Sequence, residues 1–113
     1  MPAADMPKPE MPSGALVLLI MRVLRSGPLH GYAIAQRIHT LSSEVLSVEE
    51  GSLYPALHRM EQNGWIRAEW AITESSRRAR YYSLTAAGKK QLAAREKSWE
   101  QTVKGVQAIL GFA

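Results

Sequence analysis

The stretch Glu50–Gly64, EGSLYPALHRMEQNG, constrains this chain more than any other. Wound as a helix, it puts Leu53, Ala56, Leu57 and Met60 on one face. Ser52, Pro55, His58, Arg59 and Gln62 lie on the other, with Tyr54 and Glu61 on the boundary. The apolar face demands a core. The polar face lacks the Glu/Lys alternation of an ordinary solvated helix and combines small, hydroxyl and guanidinium groups instead. Ser47-Val48-Glu49-Glu50 has capping-box spacing, which predicts a helix from Val48 to Asn63 with Gly64 as the left-handed residue beyond it. Pro55 conflicts with that range, because an interior proline lacks its amide and crowds the carbonyl four residues back. A helix kinked at Gly51, or one starting near Ser52 with Pro55 in its first turn, resolves the conflict.

Two helices are expected before this one. Ala15 to Leu24 is apolar nearly all round, broken by Arg22, and ends at the turn Ser26-Gly27-Pro28. Tyr32 to Leu41 follows, with Tyr32, Ile34, Ala35, Ile38 and Leu41 at helical spacing until Ser42-Ser43 breaks it. After Gly64, Ile66, Ala68 and Trp70 alternate with Trp65, Arg67 and Glu69, as in a half-buried strand. Thr73–Ser76 is the loop and Arg80 to Leu84 the return strand, with Tyr82 and Leu84 turned to the core. Tyr81 either packs under the hairpin or touches a phosphate. Thr85 caps a long last helix over Ala86–Leu110, whose Leu92, Trp99, Val103, Val106 and Leu110 are spaced seven, four, three and four apart. That spacing is a coiled-coil-like seam.

The fold class that follows is mainly α with a small β-hairpin: a winged helix-turn-helix plus a long C-terminal dimerisation helix. Residues 1–13, with four of the six prolines, form a disordered lead-in. Residues 14–85 form the DNA-binding domain and 86–113 the dimerisation helix. In this geometry the third helix enters a DNA major groove while the hairpin holds the neighbouring backbone.

Charge agrees with that reading through its distribution. The net charge of +4 is modest, but nine of the fourteen basic residues are arginine, and Arg77, Arg78 and Arg80 crowd the hairpin loop. Arginine's planar fork suits phosphate and guanine better than lysine's point charge. A chain without cysteine has no disulfide or zinc-thiolate chemistry, and its three histidines share no metal-ligand spacing. Metal and other cofactors are therefore not expected. No carboxylate pair, Ser/His/Asp set or phosphate-binding glycine loop is present, which argues against an enzyme. The apolar run Ala15–Met21 is too short for a bilayer and the lead-in lacks signal-peptide character, so a soluble, cytoplasmic protein is expected.

Gly27-Pro28-Leu29-His30-Gly31-Tyr32, Glu50–Glu61, Gly64-Trp65-Ile66 and Arg80-Tyr81-Tyr82-Ser83-Leu84-Thr85-Ala86-Ala87-Gly88 together resemble the PadR family of bacterial transcriptional regulators, in its short form with one C-terminal helix. The resemblance covers about Leu16 to Leu92. It implies a homodimeric winged-helix repressor that binds a double-stranded operator and is released by a small molecule. Carried over position by position, it puts Ser52, Tyr54, Pro55, His58 and Arg59 on the major groove or its phosphates, and Arg77, Arg78 and Arg80 on the wing. Tyr32, where the second helix begins, either meets phosphate at a helix N-terminus or plugs the core. Leu92, Trp99, Val103, Val106 and Leu110 are the dimer seam. Trp99 either anchors that interface or lines an aromatic slot for a flat hydrophobic effector. Two rivals stand beside this reading. One is a winged-helix module that docks on protein; the other is a small-molecule binding protein whose basic face is incidental.

Overall fold

The computed structural model describes residue 9, residues 11–12 and residues 14–111. The lead-in expected over residues 1–13 lies almost wholly outside them. Helices α1 (Ala15–Leu24), α2 (Gly31–Leu41) and α3 (Glu50–Gln62) precede a hairpin of β2 (Ile66–Ile72) and β3 (Arg78–Leu84), and α4 (Ala86–Leu110) closes the chain. A two-residue strand, β1 (Leu29–His30), pairs antiparallel with β3 through Leu29↔Tyr82 and His30↔Tyr81, giving the sheet order β1-β3-β2. The expected two-stranded hairpin is thus a three-stranded sheet.

Helix α1 occupies the centre because it is apolar nearly all round, with Ile20 and Met21 fully enclosed. Ile34 and Ile38 of α2 and the predicted inward face of α3 close over it, and Ile66, Tyr82 and Leu92 complete one core. Tyr32 and Leu41 stay in solvent despite their helical spacing.

Three local devices set the ends of these elements. His30 caps α2, its Nδ1 accepting from the Ala33 amide at 3.2 Å. The expected capping box before α3 does not form: the N-cap is Glu49, without a side-chain cap bond, and Glu50 opens the helix. Pro55 therefore sits in the second turn rather than the first. Pro55 and Gly51, whose carbonyl the proline cannot pair with, are both exposed residues, so water can satisfy that carbonyl. At the far end Gly64, at φ 76°, lets its own amide reach Glu61 O and the Trp65 amide reach Met60 O, each at 3.0 Å. That is the paired exit bond set of a Schellman turn.

Thr85 joins this exit to α4. Its hydroxyl shares its one proton between Gly64 O at 2.6 Å and Trp65 O at 3.0 Å, and accepts from the Gly88 amide at 3.0 Å. The start of α4 is pinned to the end of α3, directly behind the hairpin.

Candidate nucleic-acid interface

Helix α3 divides as its sequence predicts. Leu53, Ala56, Leu57 and Met60 are buried, while Ser52, Tyr54, Pro55, His58, Arg59 and Gln62 are exposed along one face. Arg59 is in no ion pair among the described residues.

Tyr54 meets the start of α2. A Cβ on Gly31 would lie 2.8 Å from the Tyr54 hydroxyl oxygen, so the bare glycine leaves room for the Tyr54 ring against the start of α2. Tyr32 is 65% exposed, which removes the core-plug reading. Its hydroxyl accepts from Gln36 Nε2 at 3.0 Å, and its ring lies parallel to that of His30 at 6.5 Å. His30 also meets Tyr81 edge-on at 5.4 Å, so the Tyr81 ring packs against the start of α2 while staying partly exposed. His30, Tyr32 and Tyr54 border a cleft of about 450 Å³ between α2, α3 and the hairpin, whose other wall carries Trp70 and Arg78.

The hairpin projects past the core. Beyond Ala68 every residue of β2 is exposed, so the alternation predicted for a half-buried strand fails at Trp70, which is 59% exposed rather than inward. Strand spacing assigns a side chain to a face but does not say where the core beneath that face ends. Arg78 lies over the Trp70 ring, its Cζ 4.7 Å from the centroid, which orients the guanidinium along the hairpin. Trp70 is the residue of this surface that sequence reasoning assigned wrongly, and its nearness to three arginines was the available signal. Arg77 is exposed in the loop, where its amide donates to Thr73 Oγ1 at 3.2 Å.

Arg80 differs from its neighbours. It donates to Glu61 of α3 at 2.9 Å, and its guanidinium lies 5.9 Å from the Tyr82 ring centroid. Burial pushes the Tyr82 phenol above its ordinary value; Arg80 pulls it back, and Glu61 and Tyr54 push it further up. The phenol stays neutral under the hairpin. No group of His, Asp or Glu among the described residues is arranged to hold a metal ion.

The predicted seam of α4 divides. Leu92 is 3% exposed within this protomer's own core, so it is not free surface for a second copy. The seam spacing is right, but spacing cannot separate contacts within a chain from contacts between chains. Trp99 is half-buried against the core and borders a mainly apolar cleft of about 530 Å³ with Leu18, Leu19, Arg22, Glu96 and Val103. Arg22 and Glu96 pair across its rim at 3.3 Å. Farther along, Val106 and Leu110 are exposed, and Ile109, absent from the predicted seam, is 87% exposed. No helix among the described residues is long and apolar enough to cross a membrane.

The arrangement has counterparts among known proteins. Residues 20–94 match the model of the transcriptional regulator PadR-like family. The transcriptional regulator Rv3488 of Mycobacterium tuberculosis is 30% identical over 97 residues, covering 86% of this chain and 87% of that protein. A PadR family transcriptional regulator from Eggerthella lenta is 32% identical, with a TM-score of 0.71, over 86% of this chain and 82% of its own. Another, from Clostridium difficile, is 28% identical, with a TM-score of 0.70, over 86% and 98%. A family match over most of the chain, on a three-helix core with a projecting arginine-bearing hairpin, supports one conclusion: the chain belongs to the PadR-like family of transcriptional regulators.

Proposed function

We propose that the protein is a homodimeric repressor that binds a pseudo-palindromic DNA operator and is released by a small hydrophobic molecule. The observation that carries this reading is the continuous exposed surface from α3 to the hairpin. Ser52, His58 and Arg59 supply donors along the exposed face of a helix, and Arg77 and Arg78 stand beside it with no carboxylate partner among the described residues. The helix face fits a major groove and the arginines fit flanking phosphates, with Tyr32, Tyr54 and Pro55 filling the approach between them. A module that docks on acidic protein would use the same arginines but has no need of a narrow, protruding donor helix. Footprinting on DNA upstream of the protein's own gene tests the proposal. Two protected half-sites centred about one helical turn apart are expected for a two-fold dimer. A lone half-site, or no protection, overturns it.

Dimerisation would use the outer turns of α4, where Val103, Val106, Ile109 and Leu110 form an apolar stripe on a helix with few tertiary contacts. Trp99 sits where this stripe meets α1, and a flat apolar effector held there could alter the spacing of two reading heads by binding one arrangement more tightly. Val106→Glu leaves the protomer's core untouched and should raise the dimer dissociation constant roughly 100-fold, since it buries like charges across the two-fold. A variant that sediments as a dimer as tight as wild type rules out the α4 interface.

A further inference from the structure

We propose that Arg80 is a positioning residue rather than a DNA contact, and that its ion pair with Glu61 sets the angle of the hairpin against the reading helix. This rests on the DNA-binding reading above. The three arginines of the hairpin look equivalent in sequence, but the structure separates them. Arg77 and Arg78 are exposed and in no ion pair among the described residues, whereas the Arg80 guanidinium, though its side chain is 40% exposed, is bound to Glu61 Oε2 at 2.9 Å and its Nε is shut off from solvent.

The location of the pair matters as much as its geometry. Tyr82 is buried at the hairpin's base, and two residues farther out Arg80 stands opposite Trp70, where β2 has already left the core. Beyond that level both Ala71 and Ile72 of β2 are exposed, and so is Arg78 of β3. Among the described residues the Arg80–Glu61 bond is the one side-chain hydrogen bond between α3 and the hairpin. It therefore acts as a strut, tying the element that carries the phosphate-facing arginines to the element that carries Arg59 and His58. Two surfaces that must engage one duplex together lose affinity when their relative angle is free, because that freedom is given up on binding.

The proposal makes a sign prediction that a contact role reverses. Glu61 is an acid beside a surface meant for a polyanion. If Arg80 held a phosphate, Glu61→Gln would free it and remove a repelling charge, and binding would tighten. If the pair is a strut, Glu61→Gln weakens binding by roughly tenfold, the size expected of a coupled pair.

The experiment is a double-mutant cycle on wild-type protein, Glu61→Gln, Arg80→Gln and the double variant. Affinity for upstream DNA is measured by fluorescence anisotropy, and thermal unfolding confirms the fold. Each single change should weaken binding, the double change should be no worse than the worse single one, and Arg80→Lys should recover most of the loss. Binding by Glu61→Gln as tight as wild type or tighter, or losses that simply add, would overturn the strut. Should Arg80→Gln fail to fold, the Glu61→Gln and Arg80→Lys results decide alone. Wild-type protein that binds no DNA overturns the underlying reading, a different and separately visible outcome.

Discussion

Gly88→Ala is expected to lower the unfolding free energy by roughly 3 kcal/mol, the upper end of what overpacking costs. The sign is opposite to the usual one, since replacing glycine inside a helix ordinarily adds about 1 kcal/mol. The reason lies in the junction behind the hairpin. A Cβ on Gly88 would run into the Trp65 carbonyl and come within 2.7 Å of Leu84 Cδ1. The carbonyl cannot swing away, because it accepts the Thr85 amide at 3.1 Å and the Thr85 hydroxyl at 3.0 Å. Moving α4 outward instead breaks the Thr85 cap and uncovers Leu92. At about 4–8 °C per kcal/mol for a domain of this size, the melting midpoint should fall by roughly 12–24 °C. Gly105→Ala is the control: it lies in the same helix with nothing within 4 Å of the added carbon, and should stabilise by about 0.5–1 kcal/mol. Calorimetry on both variants reads the contrast, and equal shifts would mean that the α3–α4 junction is looser than described.

Arg59→Ala combined with Arg78→Ala should nearly abolish operator binding while leaving the fold and the dimer intact. Both side chains are exposed and bear no described ion pair, so their removal costs the protomer little. In a two-fold complex the double variant loses four contacts. At about 1 kcal/mol for each, the loss is about 4 kcal/mol, or roughly 1,000-fold in affinity. Anisotropy against the footprinted DNA measures it, with sedimentation as the check on the dimer. A loss below about tenfold would place the reading surface elsewhere.

The helices and their inward faces could be read from sequence because large aliphatic residues recur with the helical period over ten or more positions, and α1 has the predicted bounds Ala15–Leu24. β1 could not. Two residues carry no period, and Leu29–His30 is a strand only because β3 lies beside it. The box at Ser47 misled because Ser47, Glu49 and Glu50 compete for one helix start, and the choice depends on how the preceding loop packs. That loop turns through Ser43 and Glu44 at positive φ and is fastened by the Ser42 hydroxyl and the His39 ring, none of which has a local signature.

The candidate site divides in the same way. The exposed face of α3 was legible, since it is the complement of a strong apolar face. Trp70 and Leu92 were misjudged, and the Arg80–Glu61 pair was missed, for a shared reason. Each had the right residue type at the right spacing. Its role, however, depends on how far the core reaches, or on a partner 19 residues away in sequence, as Glu61 is from Arg80.

The most direct test of DNA binding through α3 and the hairpin is a salt titration of wild-type affinity for the DNA upstream of its own gene. Arginines that replace counterions on phosphates make the logarithm of the binding constant fall linearly with that of salt, by about 0.9 for each phosphate contact. Arg59, Arg77 and Arg78 on both protomers set an expected slope of roughly −5, with a matched non-operator fragment bound far more weakly. A flat salt dependence, or equal affinity for the two fragments at low salt, would contradict it.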